Sequence, residues 1–484
     1  MKRFLSLPAA VPILLLAVPG CNLVVHPVGE QAERARLAAV AAVQGYPEEL
    51  PVPDVSRRAR LSDVLDYAAK RNGSLRAAFF EWQAALERVP QAGALDDPRL
   101  MIGYEFAADP FARREMPLDM KKWTTDRAVV GFSQMFPGPG KRPARAERAL
   151  FEAMGAAEAY RKAYFDVRNA VAAAYAELVY NESLTRIEER NVSVLKDVYE
   201  IASHQFHAGD LRQTDIAKLD VEIIRAESLL KAAKIDRERR VAELNALLNR
   251  GPRESIGPLD PGSVRLQPSA PAKLLEIAVA CNPSLEGLRR EVDAKGASLV
   301  LADLERLPDF ELNLPELRAL MQMAMVGFTL PINRERIEAG VREAVARREA
   351  VLSRLRSEES NAGARLIAGL SMLRDADRVR EDFEGKVETK TRDILALQQS
   401  YYGAGSGDVL SILDTQRALL EIEILIARAK ADRLRAIAEI EASVGCEVMR
   451  AGNAAGAGKK PTAAKAAQPS AAATTSTKTH NVKL

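Results

Sequence analysis

From Lys141 to about His207 the chain contains no proline after Pro143. Proline is tolerated in the first turn of a helix and costs about 3 kcal/mol in its interior, so Pro143 marks a start and the rest can stay helical. At about 1.5 Å per residue the run predicts a rod of roughly 100 Å. No globular domain needs such a rod, which must pack along its length against partners. Leu184, Ile187, Asn191, Val194, Val198 and Ile201 step by three and four, the spacing of a coiled-coil seam. Ile216, Leu219, Ile223, Ala226 and Leu230 repeat the spacing after a turn, and Ile412, Thr415, Leu419, Ile422, Ile426 and Ala429 do so near the C-terminus.

The chain also repeats itself. Arg71-Asn72-Gly73-Ser74-Leu75 matches Cys281-Asn282-Pro283-Ser284-Leu285, and Pro98 and Pro308 keep that spacing. Val130-Gly131-Phe132 matches Val326-Gly327-Phe328, and Ala208-Gly209 matches Ala404-Gly405 at the spacing of that second pair. The loop from Ala107 to Asp126 is therefore longer than its counterpart around Pro315 to Leu320. A repeat at this scale decides architecture before any local detail. Each half reads as helix, strand, strand, very long helix, tight turn, long helix. The expected organisation is a leader over 1–20, an N-terminal segment over 21–60 and a first repeat over 61–250, with strands at about 98–106 and 127–136. A linker over 251–270 follows, then a second repeat over 271–446, with strands at about 308–314 and 322–331. Pro252, Pro258, Pro261 and Pro268 predict a linker without regular structure. Residues 447–484, lacking large apolar clusters, predict a disordered tail.

The strands alternate. Leu100, Ile102, Tyr104 and Phe106 share one face, with Arg99, Gly103 and Glu105 on the other. Val130, Phe132 and Phe136 follow the same rule, as do Phe310, Leu312 and Leu314, and then Val326, Phe328 and Leu330. A period of two over this length suits a membrane-spanning β-strand or a half-buried strand of a soluble sheet. Four strands are too few to close a barrel, and an open edge in lipid leaves unpaired backbone groups at several kcal/mol each. If these strands span a membrane, several chains must share one barrel. The turns at Pro137-Gly138-Pro139-Gly140 and Pro331 then mark the change from strand to helix outside the membrane, with Lys141 and Arg142 read as interfacial basic residues.

The N-terminus, MKRFLSLPAAVPILLLAVPGC, carries basic Lys2 and Arg3, then a short apolar stretch from Phe4 to Val18. That is an export signal, too short to span a bilayer. Val18-Pro19-Gly20-Cys21 resembles a bacterial lipobox, in which Cys21 is lipidated with palmitate among its acyl chains, although Pro19 departs from the usual small residue. Asn22 in place of Asp favours the outer membrane by the same resemblance. No later stretch reaches about 18 consecutive apolar residues, so any further crossing must be made by strands.

Net charge is +3, which argues against a nucleic-acid surface, and aromatics make up only 5%. Cys21, Cys281 and Cys446 are odd in number and scattered, which predicts neither a disulfide framework nor a metal knuckle; Cys281 and Cys446 read as small buried apolar residues. His204 and His207 share a helix face without a third ligand, too little for a metal site. The Pro-Gly turn before Lys141 lacks the glycine spacing and hydroxyl of a phosphate loop. Trp82 reads as packing and Trp123 as an interface anchor. With no HExxH, GxSxG, GxGxxG or Cys-x-x-Cys, no catalytic set or cofactor is expected.

The duplicated plan, the segment Gly131 to Arg142 (GFSQMFPGPGKR) and the tip segments resemble the TolC-like outer-membrane efflux factor family. The tips are Phe206 to Asp215 (FHAGDLRQTD) and Tyr402-Gly403-Ala404-Gly405, the latter followed by Ile412 to Arg417 (ILDTQR). The resemblance covers about residues 61–446. It implies a mainly α chain with a small β part, whose homotrimer forms an α-helical barrel joined to a shared twelve-stranded transmembrane β-barrel. It implies a passive exit duct of a tripartite pump, with a periplasmic adaptor and an inner-membrane pump of the RND type as partners. Adaptor contacts would fall on Ala208, Gly209, Asp210, Leu211, Ala404, Gly405 and Ser406. Gate positions would be Asp215, Tyr402 and Asp414, with Asp408 supplying part of a charge that Gly407 and Ser411 lack relative to some members. Other readings are a periplasm-spanning coiled-coil lipoprotein without a channel and a duct for type I protein secretion. Among the duct's cargoes, drugs, solvents and metal cations stay open.

Overall fold

The computed structural model of the chain describes residues 24–46, 50–105, 127–208, 212–260, 263–266, 271–314, 325–403, 408–446 and 449–452. The N-terminal segment contains α1 (Glu30–Gln44) and β1 (Ala59–Arg60), and the first repeat contains α2 (Leu61–Arg71), α3 (Gly73–Gly93), β2 (Arg99–Glu105), β3 (Arg127–Phe136), α4 (Lys141–Ala208) and α5 (Gln213–Leu247). Two short strands follow, β4 (Leu259–Asp260) and β5 (Ser263–Leu266). The second repeat contains α6 (Pro271–Cys281), α7 (Pro283–Leu304), β6 (Phe310–Leu314), β7 (Met325–Phe328), α8 (Arg334–Asp382), α9 (Glu388–Gly403) and α10 (Val409–Val444), and β8 (Met449–Gly452) ends the described chain. Among the described residues no helix is long and apolar enough to cross a membrane.

The rod is one helix: α4 runs unbroken for 68 residues and packs on α3, α5, α7 and α10. Its counterpart in the second repeat is not continuous. Glu384 and Gly385 leave helical dihedrals, Gly385 at φ 79°, and divide α8 from α9. The seam of α4 also differs from its expected course. Ile187, Asn191, Leu195, Val198 and Ala202 are buried, whereas Val194 is half-buried and Ile201 exposed. A nearly straight helix of 3.6 residues per turn drifts against a strict 3.5 repeat, so the contact line passes from Val194 to Leu195. Asn191 stays on the line because Gln416 Nε2 of α10 donates to its Oδ1 at 2.9 Å.

The four long strands form one antiparallel sheet in the order β2-β3-β6-β7. Its register puts the apolar positions in rows. Ile102 faces Val130; Leu100 faces Phe132, which faces Leu314; Leu312 faces Val326; Phe136 faces Phe310, which faces Phe328. Directly opposed residues share a face, so these rows form one apolar surface. Ile102 is 77% exposed and Phe328 57%, although both would be core residues in a soluble sheet. Gln134 interrupts that face, and its Nε2 is satisfied by Asp96 O at 2.7 Å and Met135 O at 3.0 Å.

The change from β3 to α4 is fastened to the second repeat. Gly140 turns the chain at φ 84°, and Lys141 Nζ lies 2.9 Å from Asp309 Oδ1, just before β6, and 3.8 Å from Glu305. Asp309 also accepts from Gly138 N at 2.6 Å. Lys141 is therefore not an interfacial cation but a buried one, 1% exposed. Arg142 likewise turns inward and donates to Gly93 O from Nε at 3.2 Å and from Nη2 at 3.0 Å. Proximity to Asp309 decides this, and linear spacing does not encode it.

At the other end of each repeat the matching Asn72 and Asn282 do the same work twice. Asn72 caps α3 by accepting from Ser74 N and Leu75 N, and its Nδ2 donates to Leu247 O at 2.8 Å. Asn282 caps α7 through Ser284 N and Leu285 N and donates to Ser443 O at 2.8 Å. Around these joints lies the largest core, where Tyr175, Leu178, Leu244, Ile437 and Ile440 meet and Tyr175 Oη donates to Ala59 O at 2.7 Å.

The linker and tail are more regular than expected. β4 pairs parallel with β1, and β5 pairs antiparallel with β8, from Ser263–Gly452 to Leu266–Met449. The prolines set the ends of these short strands without preventing them. Trp82 packs as expected: it is 1% exposed, stacks on Tyr160 at 5.9 Å and lies under the Arg36 guanidinium. Phe106, Trp123, the two hairpin loops, and the tail beyond Gly452 lie outside the described residues.

Removing one member of the Lys141–Asp309 pair should be worse than removing both. Asp309→Ala strands a buried ammonium and should cost about 3–5 kcal/mol. Lys141→Met keeps the packed stem and should cost less. The double variant should melt close to Lys141→Met rather than at the sum, read by circular dichroism in detergent.

Candidate functional site

The helix ends remote from the sheet bring together most of the expected gate residues. Val192, Leu195 and Val198 of α4, Leu219 of α5, Leu395 of α9 and Ile412, Leu413 and Leu419 of α10 build an apolar cluster there. Tyr402, in the last turn of α9, is buried in this cluster at 1% exposure. Gln205 Nε2 of α4 donates to its carbonyl at 3.1 Å, tying the end of α4 to the end of α9. The next helix is started by Asp408, whose carboxylate caps α10 by accepting from Leu410 N at 3.2 Å.

Burial pushes the Tyr402 phenol above its ordinary range, and the nearby Asp215 and Asp408 carboxylates add to the shift. The phenol is thus neutral at every pH near 7. Among the described residues its buried Oη has no hydrogen-bond partner. Asp215 lies in the first turn of α5, half-buried, with Lys218 Nζ at 3.7 Å. Tyr402, Asp215 and Asp408 therefore form one group, a ring among acids on an apolar floor.

Asp414 stands apart. Its side chain is 77% exposed, and its closest cation is Arg417 at 3.4 Å. Arg417 Nη2 in turn holds Glu222 of α5 at 2.6 Å, joining α10 to α5. Ser411, one turn before Thr415, accepts from Gln398 Nε2 at 2.7 Å, a neutral bond between α9 and α10. Sequence reading missed Gln205, Glu222 and Gln398: each is one polar residue on a polar helix face, and only a partner on another helix gives it a role. Ala208 ends α4. Gly209, Asp210, Leu211, Ala404, Gly405, Ser406, Gly407 and Cys21 lie outside the described residues. His204 and His207 are exposed, and among the described residues no group of three or more metal-ligating side chains occurs.

Residues 64–250 match the family described as outer membrane efflux protein. Over 471 residues the chain is 22% identical to the pyoverdine export outer membrane protein OpmQ of Pseudomonas putida, covering 92% of this chain and 97% of that one. The fold resembles the outer membrane protein VceC of Vibrio cholerae, with a TM-score of 0.66 at 16% identity, covering 80% of this chain and 96% of that one. It resembles the open state of the MtrE outer membrane channel of Neisseria gonorrhoeae equally, with a TM-score of 0.66 at 18% identity over 80% and 89%.

Tyr402→Phe should leave the melting temperature unchanged or slightly raised, because it removes a buried hydroxyl without a partner. Tyr402→Ala should cost about 3–5 kcal/mol by opening a cavity between α9 and α10. Thermal unfolding of the two variants side by side checks both.

Proposed function

We propose that this chain, which belongs to the TolC-like outer-membrane efflux family, is the passive exit channel of a tripartite efflux system. The family's members are ducts of the outer membrane that reach into the periplasm, and this chain is an outer-membrane protein of that kind. The observation that carries the reading is the sheet. Four strands share one face that is apolar except at Gln134 and end in two edges, β2 and β7, without a further strand among the described residues. In lipid such edges must be paired. Three copies joined edge to edge give twelve strands and close the barrel. Their helices then form a tunnel through the periplasm.

In this reading the ends of α4, α5, α9 and α10 meet a periplasmic adaptor, through Ala208 to Leu211 and Ala404 to Ser406, and the adaptor connects to an inner-membrane pump of the RND type. Cys21 carries the lipid anchor. Asp215, Tyr402 and Asp408 shape the closed tip. Asp414, exposed in the single chain, lines the constriction, where three symmetry copies make a ring of negative potential that favours cations. A relative described as a pyoverdine export protein favours small organic cargo over protein.

The mass of the protein extracted from outer membranes in mild detergent, by light scattering with detergent subtracted, should be that of a trimer. A monomer would sink the shared barrel and favour a periplasm-spanning scaffold. In planar bilayers Asp414→Ala should lower cation selectivity; an unchanged reversal potential would remove Asp414 from the constriction.

A further inference from the structure

We infer that Cys281 and Cys446 are the two halves of a disulfide that closes the second repeat when the chain reaches an oxidising compartment. The fold brings together two cysteines that lie far apart in sequence. Cys281 is the last residue of α6, and Cys446 follows Gly445, which ends α10 in the left-handed region at φ 71°. A Cβ on Gly445 would lie 2.9 Å from Asn282 Cα and 3.1 Å from Cys281 O, so the two backbones touch. Three side-chain bonds hold them there. Arg161 Nη2 donates to Cys281 O and to Gly445 O, both at 3.4 Å, and Asn282 Nδ2 donates to Ser443 O at 2.8 Å. Both cysteines are half-buried, and Cys281 is among the neighbours that raise the Cys446 thiol.

The duplication makes the placement informative. The first repeat has the same joint: Asn72 donates to Leu247 O, and Asn249 takes the positive φ, 56°, that Gly445 takes in the second. The residues flanking that joint at the places of Cys281 and Cys446 are Arg71 and Arg250. They bond elsewhere, Arg71 to Leu50 O at 3.5 Å and Arg250, lying over the Tyr67 ring, to Glu254 at 2.9 Å. One joint thus carries two arginines bonded to other segments, and its copy carries two neighbouring thiols. These two are the only cysteines of the chain besides Cys21.

The reaction needs an external oxidant, a protein or small-molecule disulfide of the periplasm. One thiolate of the pair attacks that disulfide and expels its first thiolate; the other then attacks the mixed disulfide and expels the second. Cys281 and Cys446 lose two electrons and two protons, and the external disulfide becomes two thiols. Burial, with the neighbouring Cys281, pushes the Cys446 thiol up to about 12 despite Arg161, so exchange is slow without a catalyst. Periplasmic location rests on the outer-membrane reading above, because thiols in a reducing cytoplasm would stay free.

The full-length chain, made with its own leader, is alkylated with N-ethylmaleimide in denaturant, digested without reduction and mapped by mass spectrometry from separated membranes. A linked Cys281–Cys446 peptide that vanishes on reduction is the expected result. Both thiols alkylated in outer-membrane protein would overturn the disulfide and leave the outer-membrane reading intact. Recovery in the cytoplasm would instead overturn the outer-membrane reading. Equilibration of the purified chain with oxidised glutathione then decides the disulfide: the linked peptide supports it, and glutathione adducts alone overturn it. The oxidised protein should melt about 5–10 °C above the reduced one, and Cys281→Ser should melt like the reduced form.

Discussion

A backbone N–H or C=O without a partner costs several kcal/mol in hydrocarbon, and among the described residues β2 and β7 each leave one edge without a further strand. In the proposed duct the remaining architecture follows from that cost. There the two hairpins cannot bury their own edges, so other copies complete the sheet. The helices that leave the sheet would then run side by side around the same axis. The length of α4 is consistent with this: a rod of roughly 100 Å is stable only where neighbours cover its apolar line.

Buried polar groups join the two repeats near the sheet and close each repeat on itself partway along the rod. Near the sheet, Lys141 of the first repeat binds Asp309 of the second, so the turn that starts one long helix is fixed by the strand entry of the other. Near the largest core, Asn72 and Asn282 each cap one helix and bond the end of another. An asparagine that accepts two N–H groups and donates to a carbonyl is nearly satisfied, which makes it a cheap buried polar residue with a fixed geometry. The duplication preserved this device and changed what stands beside it, arginines in one copy and thiols in the other.

At the tip the balance of forces is different. The apolar cluster around Tyr402 is small, and its borders are ion pairs such as Arg417–Glu222 and Lys196–Glu227 at 2.7 Å, which lie in water and contribute little each. The break at Gly385 lies above it on the second repeat alone, so α9 is joined to α8 by a few residues of non-helical backbone, whereas α4 is continuous. The α9–α10 pair thus reaches the sheet end of its repeat through a broken helix, and the α4–α5 pair through an unbroken one.

Sequence by itself determined the duplication, the rod and the alternating faces of the strands, because each is a local periodicity that the backbone converts directly into geometry. The alternation at Leu100, Phe132, Leu312 and Phe328 even anticipates the apolar rows that the register aligns. Only the tertiary structure decided that Lys141 is buried, that Leu195 replaces Val194 on the seam, that β5 and β8 tie the linker to the tail, and that Cys281 lies beside Cys446. Each of these depends on a partner far away in the chain. Linear spacing records which face a residue occupies, but the charge, thiol or strand that meets that face is chosen by how the helices pack.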